Sequence, residues 1–187
     1  MLKSEIKTGL IIGSLIVLAA LSRLVDHPMN FTPMTAILLF SSAYITNKWF
    51  KLVFPFATIL FTDMVLEAIT GYGFHSGSSL VYLGYALIFG VGYLLLQKVN
   101  VGRTIVAVVL SSTVFYLLTN FAFFYTESAV PNPAIGAYPH NFSGVIASYQ
   151  AGMPFFRNML AGDLTFTSIV FGSYYLIRNF GLKTINN

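Results

Sequence analysis

Cysteine is absent from the 187 residues, which excludes disulfides, thiolate metal sites and cysteine nucleophiles, and leaves the redox compartment open. Charge is scarce: Asp, Glu, Lys and Arg make up 9% of the chain, against roughly a quarter in a soluble domain. No Gly-x-x-x-x-Gly-Lys-Ser/Thr stretch occurs, so the chain cannot itself drive transport by hydrolysing ATP. No Ser/His pair sits in a recognisable elbow. Ala161-Gly162-Asp163 is similar to part of an intramembrane aspartyl protease motif. The motif's other glycine is replaced by Leu160, however, and Asp63 is the one companion aspartate within a span. The three histidines lack metal-ligand spacing. These absences argue against an enzyme, a resident metal or a bound cofactor.

What is abundant is apolar surface. Hydrophobic residues make up 56% of the chain and the mean hydropathy is +0.76, so lipid must be the solvent for most of the surface. Apolar runs fall at 8–25, 33–46, 52–70, 78–97, 104–125 and 154–179. They predict an all-α integral membrane protein, a bundle of six transmembrane helices forming a single domain over residues 1–187. The second run is the weakest; it begins with Pro33 behind Thr32 and is expected to continue toward Trp49 and Phe50 at the interface. Pro131, Pro133 and Pro139 forbid a regular helix over 126–142, and 143–152 reads as a short interfacial or re-entrant helix. Ala19-Ala20-Leu21-Ser22-Arg23 is a poor cleavage site after so long an apolar run, so the first run is expected to be retained.

The net charge of +4 fits membrane orientation better than nucleic-acid binding. Lys3, Lys7, Lys48, Lys51, Lys98, Arg103, Arg178 and Lys183 fall on one side of the six runs, against Arg23 and Arg157 on the other. That asymmetry predicts cytoplasmic termini and outer loops at 71–77 and 126–142. Polar residues within the runs then share the outer half: Asp63, Glu67, Asn120, Arg157, Asn158 and Asp163. Ionisable groups are costly in lipid, so their clustering predicts a cavity open to the outside.

Asp63 and Glu67, four apart on one helical face, need a compensating cation, and Arg157 is the nearest in depth, with Arg23 and His27 as others. An internal ion-pair network and a direct ligand role are equally compatible with these charges. Each outer loop mixes aromatics with a histidine: Arg23-Leu-Val-Asp-His-Pro-Met-Asn-Phe-Thr-Pro33, Gly71-Tyr-Gly-Phe-His-Ser-Gly77, and Tyr138-Pro-His-Asn-Phe142. Aromatics beside polar groups suit an organic ligand, although an anchoring belt at the interface is the commoner use of each one. The residues expected to contact a solute are Arg23, His27, Asn30, Asp63, Glu67, His75, Asn120, Tyr138, His140, Arg157 and Asp163. Gly9 and Gly13 form a small-x-x-x-small pattern that lets a partner helix approach.

Three stretches, His27-Pro-Met-Asn-Phe-Thr-Pro-Met-Thr-Ala-Ile-Leu-Leu-Phe40, Phe115-Tyr-Leu-Leu-Thr-Asn-Phe121 and Pro154-Phe-Phe-Arg-Asn-Met-Leu-Ala-Gly-Asp163, resemble an uncharacterised family of bacterial transport proteins. That family is similar to the substrate-binding (S) components of energy-coupling-factor (ECF) vitamin transporters. The resemblance implies an S-component-like six-helix bundle in the bacterial inner membrane that binds a vitamin-like solute under its outer loops. It also implies docking through the first helix, here Gly9 and Gly13 where alanines are usual, on a transmembrane coupling subunit with ATPases. A solitary proton-coupled carrier, and a structural or assembly subunit of a membrane complex, are the alternatives.

Overall fold

A computed structural model describes residues 2–181, and its regular structure is helical. Six α-helices follow in order: α1 (Leu2–Leu21), α2 (Met34–Tyr44), α3 (Lys48–Thr70), α4 (Ser78–Leu95), α5 (Val101–Thr119) and α6 (Phe142–Leu176), the last passing into a π-helical turn at Ile177–Gly181. No strand occurs among the described residues; two isolated bridges, Glu127 to Tyr138 and Asn132 to Ala137, pin the proline-rich loop. Helix is what lipid demands, since each backbone polar group must find its partner within its own segment.

Five of the helices are long and apolar enough to cross a bilayer, which makes this a multi-pass membrane protein. The expected second span differs. At 11 residues, α2 is about 16 Å long, roughly half the hydrocarbon thickness. Trp49 and Phe50 do not extend it: the Asn47 side chain accepts both their amides at 3.0 Å and so caps the start of α3. Met34 to Ser42 are all buried, and α2 touches every other helix. It is therefore the axis around which the others stand, apolar on all sides because protein surrounds it. Toward its C-terminal end Phe40 is fully buried among the rings of Tyr44, Phe171 and Tyr174, with centroids 4.9, 5.2 and 5.4 Å away. Gly92 makes α4's approach to α2 possible, since a Cβ there would run into the Ser42 hydroxyl and Leu39.

The expected separate helix over 143–152 is instead the first third of α6. With 35 residues, α6 is about 52 Å long and exceeds the bilayer core. Asn141 caps it by accepting the Gly144 amide (3.0 Å), and Pro154 lies inside without ending it. One proline removes one backbone hydrogen bond, a loss that packing against neighbours can absorb in a membrane helix. The early part of α6 lies against the end of α5: Tyr116 donates to the Tyr149 carbonyl (2.5 Å), Tyr149 to the Leu117 carbonyl (3.0 Å) and Ser148 to the Asn120 carbonyl (2.8 Å).

Short turns at 71–77 and 96–100 reverse the chain, so the ends of α1, α3 and α5 lie toward the same end of the bundle as the beginnings of α2, α4 and α6. Lys48, Lys51, Lys98, Arg103 and Arg178 flank the opposite ends, where the Lys51 ammonium lies 5.6 Å from the Tyr93 ring centre. Lys183 and the Lys3 side chain, both counted in the basic asymmetry, lie outside the described residues.

Candidate functional site

At the acidic end, the segment between α1 and α2 folds over the bundle. Gly162 allows this, since a Cβ there would press on the backbone of Phe31. The Asn158 side chain donates to the Met29 carbonyl (3.1 Å), and the rings of Phe31 and Phe166 pack 5.5 Å apart. Asn30 takes a left-handed backbone (φ 63°), a conformation asparagine tolerates better than most residues.

Beneath this segment lies a cavity of about 310 Å³. Asn30, His75 and Phe155 are exposed and form its mouth; Thr35, Tyr85, Ile88, Met159 and Asp163 are buried and form its floor. Arg23, Phe115, Thr119, Asn120 and Tyr125 complete the walls. Phe115 and Tyr85 stack with ring centres 5.6 Å apart, giving the wall an aromatic face.

The two buried aspartates are held differently. Asp63, 3% exposed, forms an ion pair with Arg23 across one oxygen and accepts the Tyr82 hydroxyl at 2.5 Å on the other. The cation expected for this carboxylate was Arg157; the structure supplies Arg23, from the end of α1. Arg157 is exposed on α6 and makes no ion pair or hydrogen bond among the described residues. Lying two residues before the buried Met159, it is turned about 200° away around the helix. Arg157→Ala should accordingly shift unfolding free energy by less than about 0.5 kcal/mol, measured as thermal unfolding in detergent. Asp163, 1% exposed, accepts only hydroxyls: Ser112 at 2.6 Å and Thr35.

Of the sequence-derived site residues, Arg23, Asn30, His75, Asn120 and Asp163 line this cavity, and Asp63 stands directly behind Arg23. The other five do not line it. Glu67 is exposed and accepts the Gly73 and Phe74 amides (2.9 and 3.0 Å), which fastens the 71–77 loop to α3. His140 stacks on Phe123 and contacts the Tyr125 carbonyl (3.1 Å), and the Tyr138 backbone bonds Thr126 and Ser128, so both hold the 126–142 loop closed. His27 is exposed and contacts only the neighbouring Pro28 carbonyl (3.0 Å), while Arg157 faces away. Among the described residues no group of three or more His, Asp or Glu converges to hold a metal. The sequence reading missed Thr35, Tyr82, Tyr85, Ser112, Phe115 and Phe155. Three of them are partners of the buried aspartates, Thr35 and Ser112 of Asp163 and Tyr82 of Asp63, and no spacing along the chain marks those pairings.

Residues 3–183 match the family of unknown function DUF6580. The chain belongs to that family. The match spans nearly the whole described structure, so the cavity, α2 and the capping loops all lie within the family's extent. No curated protein and no solved structure matches the chain.

Proposed function

We propose that this member of the family is a membrane uptake protein that binds a small organic solute from the outer side of the bacterial inner membrane. The observation that carries the reading is the cavity itself: buried charge and stacked aromatics converge on a space that reaches the surface at the end poor in lysine. Sites for small molecules combine apolar walls with a few placed polar groups in this way. The volume equals that of roughly ten liquid waters, which suits a solute of about ten to fifteen non-hydrogen atoms. In this reading both termini are cytoplasmic, following the basic asymmetry.

The S-component-like role is the finer part of the proposal. Gly9 has open space where a Cβ would sit, and with Gly13, Phe50 and Phe54 it borders a groove of about 490 Å³ between α1 and α3. A coupling subunit's helix would find small residues there. A solitary carrier remains the second reading, and the observation favouring it is Asp163, a buried carboxyl able to carry a proton at the cavity floor. A purely structural subunit would instead need its buried charges only to join helices.

Native mass spectrometry of the protein extracted gently from its own membrane tests the reading: a molecule of about 150–250 Da is expected to stay bound. Absence of any bound molecule, together with no uptake defect in a deletion strain, would refute it. The missing cysteines make topology simple to check. His75→Cys should react with a membrane-impermeant maleimide on intact cells and Asn100→Cys should not; the opposite pattern would invert the proposed orientation.

A further inference from the structure

The charges around the cavity do not balance, and the imbalance has a sign. Arg23 is matched by Asp63, whose second oxygen is taken by Tyr82. His75, at the mouth, accepts the Gly77 amide on Nδ1 (3.1 Å), an arrangement that a doubly protonated ring cannot make. Asp163 is left as the one charge-bearing group on the cavity wall with no cation against it among the described residues.

Its hydrogen bonds are also incomplete. The Ser112 hydroxyl contacts both the Asp163 carboxyl (2.6 Å) and the Val108 carbonyl (3.0 Å), yet it has a single proton to give. With Thr35 as its other hydroxyl partner, a carboxylate here has at most two donors for about four lone-pair sites, and one of the two is shared with Val108. A ligand with N–H groups and positive charge would supply both, and burial without such a partner is costly. Tyr85, Phe115 and Tyr125 line the same cavity, and an aromatic ring attracts a cation where it repels an anion from its face.

We propose that the cavity binds a small organic amine in its cationic form, with the ammonium on Asp163 and the body against Tyr85, Phe115 and Phe155. This rests on the cavity being a solute site and names the class of solute. The ammonium donates to the carboxylate oxygens, and Ser112 is released to serve Val108. A ligand arriving at a protonated Asp163 displaces that proton to the outside solution.

Three indoles of nearly equal size and different charge test this on the full chain in lipid nanodiscs by calorimetry: tryptamine, its alcohol tryptophol, and indole-3-acetate. Tryptamine is expected to bind at least about tenfold more tightly than the other two, the scale of one charge-assisted hydrogen bond. Asp163→Asn should remove that preference, bringing tryptamine to within about threefold of tryptophol measured on the same variant. If Asp163→Asn does not fold, the wild-type series decides alone. Tryptophol or indole-3-acetate binding as tightly as tryptamine would overturn the amine assignment while leaving the solute site standing. No binding of any of the three, with no molecule retained in native mass spectrometry, would overturn the site itself.

Discussion

Arg23→Ala should unfold this protein more readily than any other single loss of charge. Its guanidinium sits against Asp63 with side chains 15% and 5% exposed, and it also lies 3.4 Å from the Thr62 hydroxyl. Removing one partner of a buried pair leaves the other without compensation, which typically costs about 3–5 kcal/mol. Tyr82 would remain on Asp63 but carries no charge to offset it. Thermal unfolding in detergent should show a fall several-fold larger than that for Arg157→Ala. The double variant Arg23→Ala/Asp63→Asn should recover part of the loss, because the stranded carboxylate is then gone. Equal effects of Arg23→Ala and Arg157→Ala would show that the pair contributes nothing to stability.

Phe40→Ala is expected to be the most damaging change to the apolar packing, and its size reports on the solvent. Phe40 lies on the central helix α2, fully buried, with three aromatic rings around it. In a soluble protein such a truncation costs about 3–5 kcal/mol, from lost transfer and from the cavity together. Where unfolded helices remain in lipid the transfer part shrinks, since acyl chains are as apolar as the core. The cavity part stays: a void of roughly 100 Å³ at about 24 cal/mol per Å³ gives about 2 kcal/mol. Unfolding in mixed micelles should show a loss near that value, and a loss below about 0.5 kcal/mol would mean that α2 is not the packed axis of the bundle.

Much of the helix pattern could be read along the chain. The runs at 52–70, 78–97 and 104–125 fall on α3, α4 and α5 to within a few residues at most ends, and the gathering of acids near one end of the bundle followed from their depth. The second run misled because a short buried helix has the same apolar composition as a short membrane span. Extended backbone at Ile45 and the cap at Asn47 separate α2 from α3. The start of α6 misled because Pro154, which ends most soluble helices, is tolerated where neighbouring helices hold the chain.

Sequence alone determined that this chain is a helical membrane protein with its acids and cavity residues concentrated toward one end. Lipid leaves a backbone little choice but helix, and helix converts position along the chain into depth. Only the tertiary structure decided which groups face each other at a given depth. In a soluble helix the apolar stripe marks the buried face, but here lipid-facing and core-facing sides are equally apolar, so rotation about the axis leaves no mark in the sequence. That rotation is set by close approaches such as Gly92 on α2 and Gly162 beneath Phe31. It places Arg23, not Arg157, against Asp63, and leaves Asp163 facing the cavity with hydroxyls as its partners.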